Sequence, residues 1–187
     1  MRIKGLVLAA GRSSRLGQPK QLLKTGSMTL LEHIEHRLLP LCDELWVVLG
    51  YQHEIMQQHI QQASVIVNPH WRKGMGHSLK TGFRQISADA DAVLVALCDQ
   101  PYITQSHYQS LIKTAHQHRQ HLISSTYDGK PGVPAVFTPP HFSAVLSIGD
   151  EQGARSLLRQ TNEQHISINC PQGNHDIDTA DQLSGLS

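Results

Sequence analysis

The chain has 187 residues, a formal net charge of +1, and 39% hydrophobic against 17% charged residues. That balance fits a folded chain of ordinary domain size and excludes both a disordered and a membrane-embedded composition. It supplies no broad positive field for nucleic acid or an anionic membrane, so any attraction for phosphate has to come from local groups.

The start, Met1-Arg2-Ile3-Lys4 followed by Gly5-Leu6-Val7-Leu8-Ala9-Ala10, faintly imitates a signal peptide. The apolar run is too short for one and leads straight into Gly11-Arg12-Ser13-Ser14-Arg15. Residues 3–9 read instead as a buried strand. Residues 30–41 place Leu30, Leu31, Ile34, Leu38 and Leu41 on one helical face. Residues 45–49 read as a second buried strand ended by Gly50, 54–62 as a polar helix, 65–67 as a short strand and 78–86 as a helix. Residues 92–97 are the strongest strand in the chain. Thr104 is a plausible N-cap for the next helix, and His116-Gln117-His118-Arg119-Gln120-His121 reads as its solvated end. Strands follow at 122–126, 133–137 and 166–169, with helices at 153–159 and 179–183. Cys42, Cys98 and Cys170 form no CxxC pair, which speaks against a disulfide framework or a zinc site and for the cytoplasm.

Apolar strands that alternate with helices imply a parallel sheet covered on both faces. We expect a single domain over residues 1–187, a three-layer αβα Rossmann-like fold with a mostly parallel mixed sheet. Ligands of such sheets bind beyond the carboxyl ends of the strands. The segments to inspect are therefore residues 10–20, after the first strand, and 98–104, after the fourth strand.

The first segment reads Leu8-Ala9-Ala10-Gly11-Arg12-Ser13-Ser14-Arg15-Leu16-Gly17-Gln18-Pro19-Lys20. Small residues let the backbone approach a ligand, and consecutive N–H groups can form an anion nest. Arg12, Arg15 and Lys20 add cations that a triphosphate needs. Neither a GxxxxGK[ST] loop nor a GxGxxG fingerprint is present, and Gly74-Met75-Gly76 lacks the third glycine of the latter. The second segment reads Leu97-Cys98-Asp99-Gln100-Pro101. A carboxylate directly after a buried strand sits at the mouth of the expected cleft, and its oxygens suit Mg²⁺. Cys98 reads as a small packing residue. In Lys73-Gly74-Met75-Gly76-His77-Ser78-Leu79, the glycines would admit a flat base and Ser78 stands near a helix start.

The pattern Leu8-Ala9-Ala10-Gly11-x-x-x-Arg15-Leu16-Gly17-x-Pro19-Lys20, with Cys98-Asp99-Gln100-Pro101, resembles the signature of nucleotidyltransferases with the nucleotide-diphospho-sugar transferase fold. Within them it is most similar to the MobA-like branch that modifies molybdenum cofactor. The resemblance implies that Leu8, Ala9, Ala10, Gly11 and Arg12 wrap the nucleotide, with Gly76 and Ser78 also touching it. It implies catalytic roles for Arg15, Lys20 and Asp99, and Mg²⁺ held by Asp99 and Asp178. Asp178 lies in Asp176-Ile177-Asp178-Thr179-Ala180-Asp181, which resembles the late metal motif. Gly132 to Phe137 resembles the acceptor-side strand. Gly149-Asp150-Glu151-Gln152-Gly153-Ala154-Arg155 resembles a Gly-Asp-x-Gly-Ala-Arg motif of the cytidylyltransferase subgroup, with one extra residue.

The expected reaction is attack by a phosphate oxygen of a small-molecule acceptor on the α-phosphorus of an NTP. A phosphomonoester, with a second pKa of about 6, needs no general base near neutrality. Through the resemblance, Ala10 and the Gly153-Ala154-Arg155 segment imply CTP and a molybdopterin-type acceptor. GTP, a sugar-phosphate or alcohol-phosphate acceptor, and a non-catalytic binding or chaperone role stay open. A molybdoenzyme or cofactor-delivery protein is a possible partner, while nucleic acid and membrane are not expected.

Overall fold

The computed structural model describes residues 1–13, 18–160 and 164–174. Arg15, Asp176, Asp178, Asp181 and the helix expected at 179–183 lie outside the described residues.

Nine strands and six α-helices are described: β1 (Ile3–Leu8), β2 (Lys24–Thr25), β3 (Met28–Thr29), α1 (Leu30–Leu38), β4 (Glu44–Leu49), α2 (His53–Gln57), β5 (Ser64–Val67), α3 (Met75–Ile86), β6 (Ala92–Leu97), α4 (Gln105–Gln117), β7 (Leu122–Tyr127), β8 (Lys130–Phe137), α5 (Phe142–Leu146), α6 (Ala154–Leu158) and β9 (His165–Asn169). Seven strands form one sheet in the order β5-β4-β1-β6-β8-β7-β9, and β2 and β3 form a separate small hairpin. β1, β4, β5 and β6 pair in parallel, and so do β7 and β9. β8 alone runs antiparallel to its neighbours β6 and β7. The fold is therefore α/β with a mostly parallel mixed sheet.

Alternation along the strands assigns the two faces. Ile3, Val7 and Ala9 of the first strand and its exit pack with Leu31, Ile34, Tyr108 and Leu111 of α1 and α4. Leu6 and Leu8 pack on the other face with Leu79, Phe83 and Ile86 of α3, Val145 of α5 and Leu158 of α6. Both faces of β1 are covered, which is why its sequence is apolar apart from Lys4, a buried residue that pairs with Asp89 and Glu44. α1 begins at a complete capping box, with the Thr29 side chain accepting from Glu32 N and Glu32 reaching back to Thr29 N. Thr104 caps α4 by accepting from His107 N, as its sequence position suggested.

Several elements start earlier than the sequence pattern implied. α3 opens at Met75 rather than Ser78, because Gly74, at φ 116°, makes the turn into it. β8 opens at Lys130, three residues before the apolar stretch, because it is drawn into a hairpin with β7. No helix among the described residues is long and apolar enough to cross a membrane.

Candidate active site

The chain passes from β1 outward to β4 and β5, then returns to the other side of β1 with β6. The topological switch therefore lies between β1 and β6, where open α/β sheets place their ligands. A cleft of about 360 Å³ opens there, walled by Leu8 to Gly11, Lys20, Gln21, Trp71, Ser78 and Asp99. The parallel register aligns Leu8 with Leu97, so the two segments singled out in the sequence leave the sheet side by side.

Lys20 Nζ donates to Asp99 Oδ2, joining residues 79 positions apart in sequence. Their side chains are 21% and 13% exposed, so solvent screens this pair less than a surface ion pair. Asp99 Oδ1 is buried and has no hydrogen-bond partner among the described residues. A buried carboxylate oxygen left unpaired is unfavourable by itself. It is the kind of oxygen a hard cation binds, and Mg²⁺ asks a protein for only one or two carboxylates besides phosphate oxygens and water. No group of three potential metal-ligating side chains occurs among the described residues. The neighbouring Cys98 is buried, and its thiol is pushed up to about 12 by desolvation first and by the Asp99 charge second, which agrees with a packing role.

The loop after β1 is braced from beneath by Gln21. Its Nε2 donates to Ala9 O and Gly11 O, both at 2.9 Å, while the side chain is itself buried. Ser13, at a left-handed φ of 54°, accepts from Lys20 N at 3.2 Å and ties the two ends of the loop together. On the far side of Asp99, Gln100 Nε2 donates to Gly173 O at 3.0 Å, and Arg37 of α1 donates to Pro101 O. The carboxylate thus sits on a segment clamped from two directions.

The other expected nucleotide contacts divide. Leu8, Ala9, Ala10, Gly11 and Ser78 line the cleft. Ser78 is buried, and its Oγ accepts from the equally buried Asn68 Nδ2 at 2.9 Å. Arg12 does not line the cleft: its guanidinium lies 5.6 Å over the Tyr51 ring, at the end of a row in which Tyr51 meets Trp71 edge-on and Arg72 covers Trp71. Gly76 is not among the residues lining the cleft either. A Cβ there would stand 2.1 Å from Gly149 O and 2.3 Å from Gln152 O, so the protein's own 149–152 turn already requires glycine at this position. Asp150 of that turn accepts from Lys80 Nζ at 2.6 Å, which lowers its pKa, and its carbonyl accepts from His77 N. The 149–152 turn is thereby fastened to the start of α3.

A second cleft, of about 280 Å³, shares Leu8, Met75, Leu97 and Asp99 with the first. Its other wall is Val133 of β8 with Glu151, Gly153, Ala154 and Arg155. Two cavities meeting at one carboxylate suit a reaction between two substrates.

A model of the MobA-like NTP transferase domain matches residues 5–166. The chain belongs to that family of nucleotidyltransferases. Among curated relatives, it is 30% identical to nicotine blue oxidoreductase of Paenarthrobacter nicotinovorans, over 98% of this chain and 96% of that one. It is 30% identical to the purine catabolism protein PucB of Bacillus subtilis, over 83% and 80% of the two chains. A probable molybdenum cofactor guanylyltransferase of Bacillus cereus is 27% identical over 92% and 87%. Among solved structures, Rv0371c of Mycobacterium tuberculosis superposes with a TM-score of 0.85 at 24% identity, covering 100% of this chain and 97% of that one. A further structure of Rv0371c is a complex with manganese. Shared fold is what these superpositions establish.

The sequence reading missed Gln21 and the Trp71–Arg72 wall. Gln21 carried a signal, as a polar residue between Lys20 and an apolar pair. Trp71 carried none, since its approach depends on Gly50, where a Cβ would stand 2.5 Å from Trp71 Cβ.

Proposed function

We propose that this protein transfers a nucleoside monophosphate from an NTP to a phosphorylated small molecule, with a molybdopterin-type cofactor as the favoured acceptor. The observation that carries the reading is the Lys20–Asp99 pair at the junction of two clefts. A terminal phosphate oxygen of the acceptor attacks the α-phosphorus. The bond from that phosphorus to the bridging oxygen breaks, and pyrophosphate leaves with the electron pair. The acceptor oxygen is already ionised, so the chain's task is positioning and charge compensation. The 11–20 loop, with Arg15 and Lys20, holds the triphosphate and offsets charge growing on the pyrophosphate. Asp99, with Asp178 as the second carboxylate, would hold Mg²⁺, which when bound neutralises phosphate oxygens.

CTP remains our preferred donor on the family resemblance at Ala10, a residue that lines the first cleft. Gly153, Ala154 and Arg155 instead line the second cleft, so that segment bears on the acceptor more than on the base. GTP is the alternative, as the name of the Bacillus cereus relative suggests. The oxidoreductase name of another relative supplies a second reading, and a nicotinamide assay separates the two.

The test is pyrophosphate release from CTP, GTP, ATP and UTP, with Mg²⁺ and a molybdopterin-type cofactor, beside an Asp99→Asn control. Release with CTP and its loss in the variant are expected. Release with GTP alone overturns the base assignment and keeps the chemistry. No release together with no Mg²⁺-dependent NTP binding overturns the proposal, as does nicotinamide-dependent turnover without pyrophosphate.

A further inference from the structure

The first cleft has two unlike sides. Lys20 and Asp99 stand on one, Trp71 and Arg72 on the other. The sheet sets the distance between them. β4 and β6 flank β1, and Leu8 is level with both Val48 and Leu97, so the three strands end side by side. Asp99 follows β6. Trp71 leans on Gly50 at the exit of β4, where a Cβ would stand 2.5 Å from Trp71 Cβ and 2.8 Å from Ala10 O. Neighbouring strands lie roughly 4.8 Å apart, so two spacings separate the sides by on the order of 10 Å. That is room for a sugar, and a triphosphate held beside Lys20 points its base towards Trp71.

The aromatic side is fixed before any ligand arrives. Asn68 N donates to Leu49 O at 2.8 Å and Trp71 N to Asn68 O at 3.3 Å, so the segment hangs from the end of β4. Tyr51, whose N donates to Ala10 O at 3.1 Å, meets the indole edge-on with ring centroids 5.5 Å apart. The Arg72 guanidinium lies 4.7 Å over the Trp71 ring. An arginine stacked on an aromatic face presents a planar fork of N–H donors with little freedom left to lose. Among the described residues, no carboxylate pairs with Arg72 and no group accepts a hydrogen bond from it.

We infer that Trp71 and Arg72 form the base side of the first cleft and that Arg72 selects the base. Two parallel N–H groups match an edge with two adjacent acceptors. Guanine offers O6 and N7, and cytosine offers O2 and N3. Adenine sets an amino donor beside N7, and uracil sets an N–H between its carbonyls, so either leaves one N–H of the fork unpaired. The inference rests on the nucleotidyl-transfer reading and deepens it: the donor is CTP or GTP, and UTP and ATP are discriminated against at Arg72.

Trp46 and Trp71 are the two tryptophans of the chain, so in a Trp46→Phe background the indole emission reports Trp71. Each of the four NTPs would be titrated with Mg²⁺ into this protein and into its Arg72→Ala and Arg72→Lys derivatives. Arg72 is exposed, so neither substitution touches the core, and thermal unfolding checks this. CTP, GTP or both should change Trp71 emission and bind at least about tenfold more tightly than UTP and ATP, the size expected for one bidentate arginine–base contact. Arg72→Ala should weaken the preferred nucleotide about tenfold and leave UTP and ATP where they were. Arg72→Lys keeps the charge but not the fork, and should behave like Arg72→Ala. Equal weakening of all four by Arg72→Ala, with rescue by lysine, would assign Arg72 to the phosphates and overturn the base reading. So would a preference for UTP or ATP, four unchanged affinities, or binding that leaves Trp71 emission unaltered. Calorimetry keeps the two claims apart. If no NTP binds with Mg²⁺, the transfer reading fails and the inference with it, whereas binding without selection among bases sinks the inference alone.

Discussion

The two ends of the sheet are built by different means. In β4, β1 and β6 the buried residues are mostly Leu, Val, Ile and Ala, with Lys4 of β1 the charged exception, and the expected functional groups stand on loops beyond the strand ends. In β7, by contrast, Ser124 and Ser125 are fully buried inside the sheet. Ser125 Oγ donates to Pro134 O at 2.8 Å, so it accepts from His107 Nε2, also at 2.8 Å. Ser124 Oγ lies 2.8 Å from His165 Nε2 and 3.2 Å from Ser167 Oγ. The parallel end holds its cleft with side chains on the loops beyond the strands, such as Gln21, Ser13 and Asn68. The mixed end places its side-chain hydrogen bonds within the strands themselves, at Ser124 and Ser125. Nucleotide handling should therefore respond to changes at the first end, and acceptor handling and pH sensitivity to changes at the second.

Asp99→Asn strikes the point where the ends meet. We expect turnover to fall by roughly 10²-fold or more, the scale of losing a preorganised electrostatic group, as read by pyrophosphate release. A fall of only a few-fold would remove Asp99 from the mechanism. Gly76→Ala comes next. It forces the 149–152 turn away from α3, so acceptor KM should rise about tenfold with NTP affinity little changed, a loss of roughly one misplaced contact. A change in NTP affinity alone would restore Gly76 to the nucleotide side. Ser125→Ala leaves both His107 Nε2 and Pro134 O without their partner, and should lower unfolding free energy by about 1–3 kcal/mol in urea denaturation. An unchanged urea midpoint would show that the mixed end does not depend on these bonds.

The smallest effect is on pH. Burial lowers the pKa of His107, His141 and His165 below the ordinary 6.5, and all three stand at the mixed end. The unfolded chain then binds protons at a higher pH than the folded one. Stability from these groups is complete above pH 6.5 and is lost as pH falls below that value through the folded pKa values. The urea midpoint should decline between about pH 7.5 and about pH 5.5, above the carboxylate range, and a triple His→Gln variant should flatten the decline. A decline of equal size in the triple variant would locate the titration elsewhere.

What the sequence displayed well was whatever depends on neighbours along the chain. The covered strands β1, β4 and β6, the Thr104 cap and the strand-end position of Asp99 are of that kind. The direction of β8 was not legible, since Val133 to Phe137 is apolar whichever way it runs. Its hairpin was announced by Asp128-Gly129, a pair suited to the two positive φ values of 52° and 68° found there, but the apolar pattern drew attention past it. The roles of Gly76, Arg155 and Trp71 depend on partners across the fold, and composition at one site cannot name a partner at another. β2, β3 and α5 are too short to establish a period.

The reversal of β8 has one more consequence. Because Ala135 pairs with Val95 and Phe137 with Val93, the strand enters the sheet at the edge where β6 leaves it. The two-residue turn before it, Asp128-Gly129, consequently hangs over the substrate edge although it belongs to a hairpin. Length can be added at that turn without altering any strand's place or register. The protein thus holds an adjustable rim beside a fixed nucleotide seat, and a lineage could change the size of molecule it modifies by insertions at a single bend.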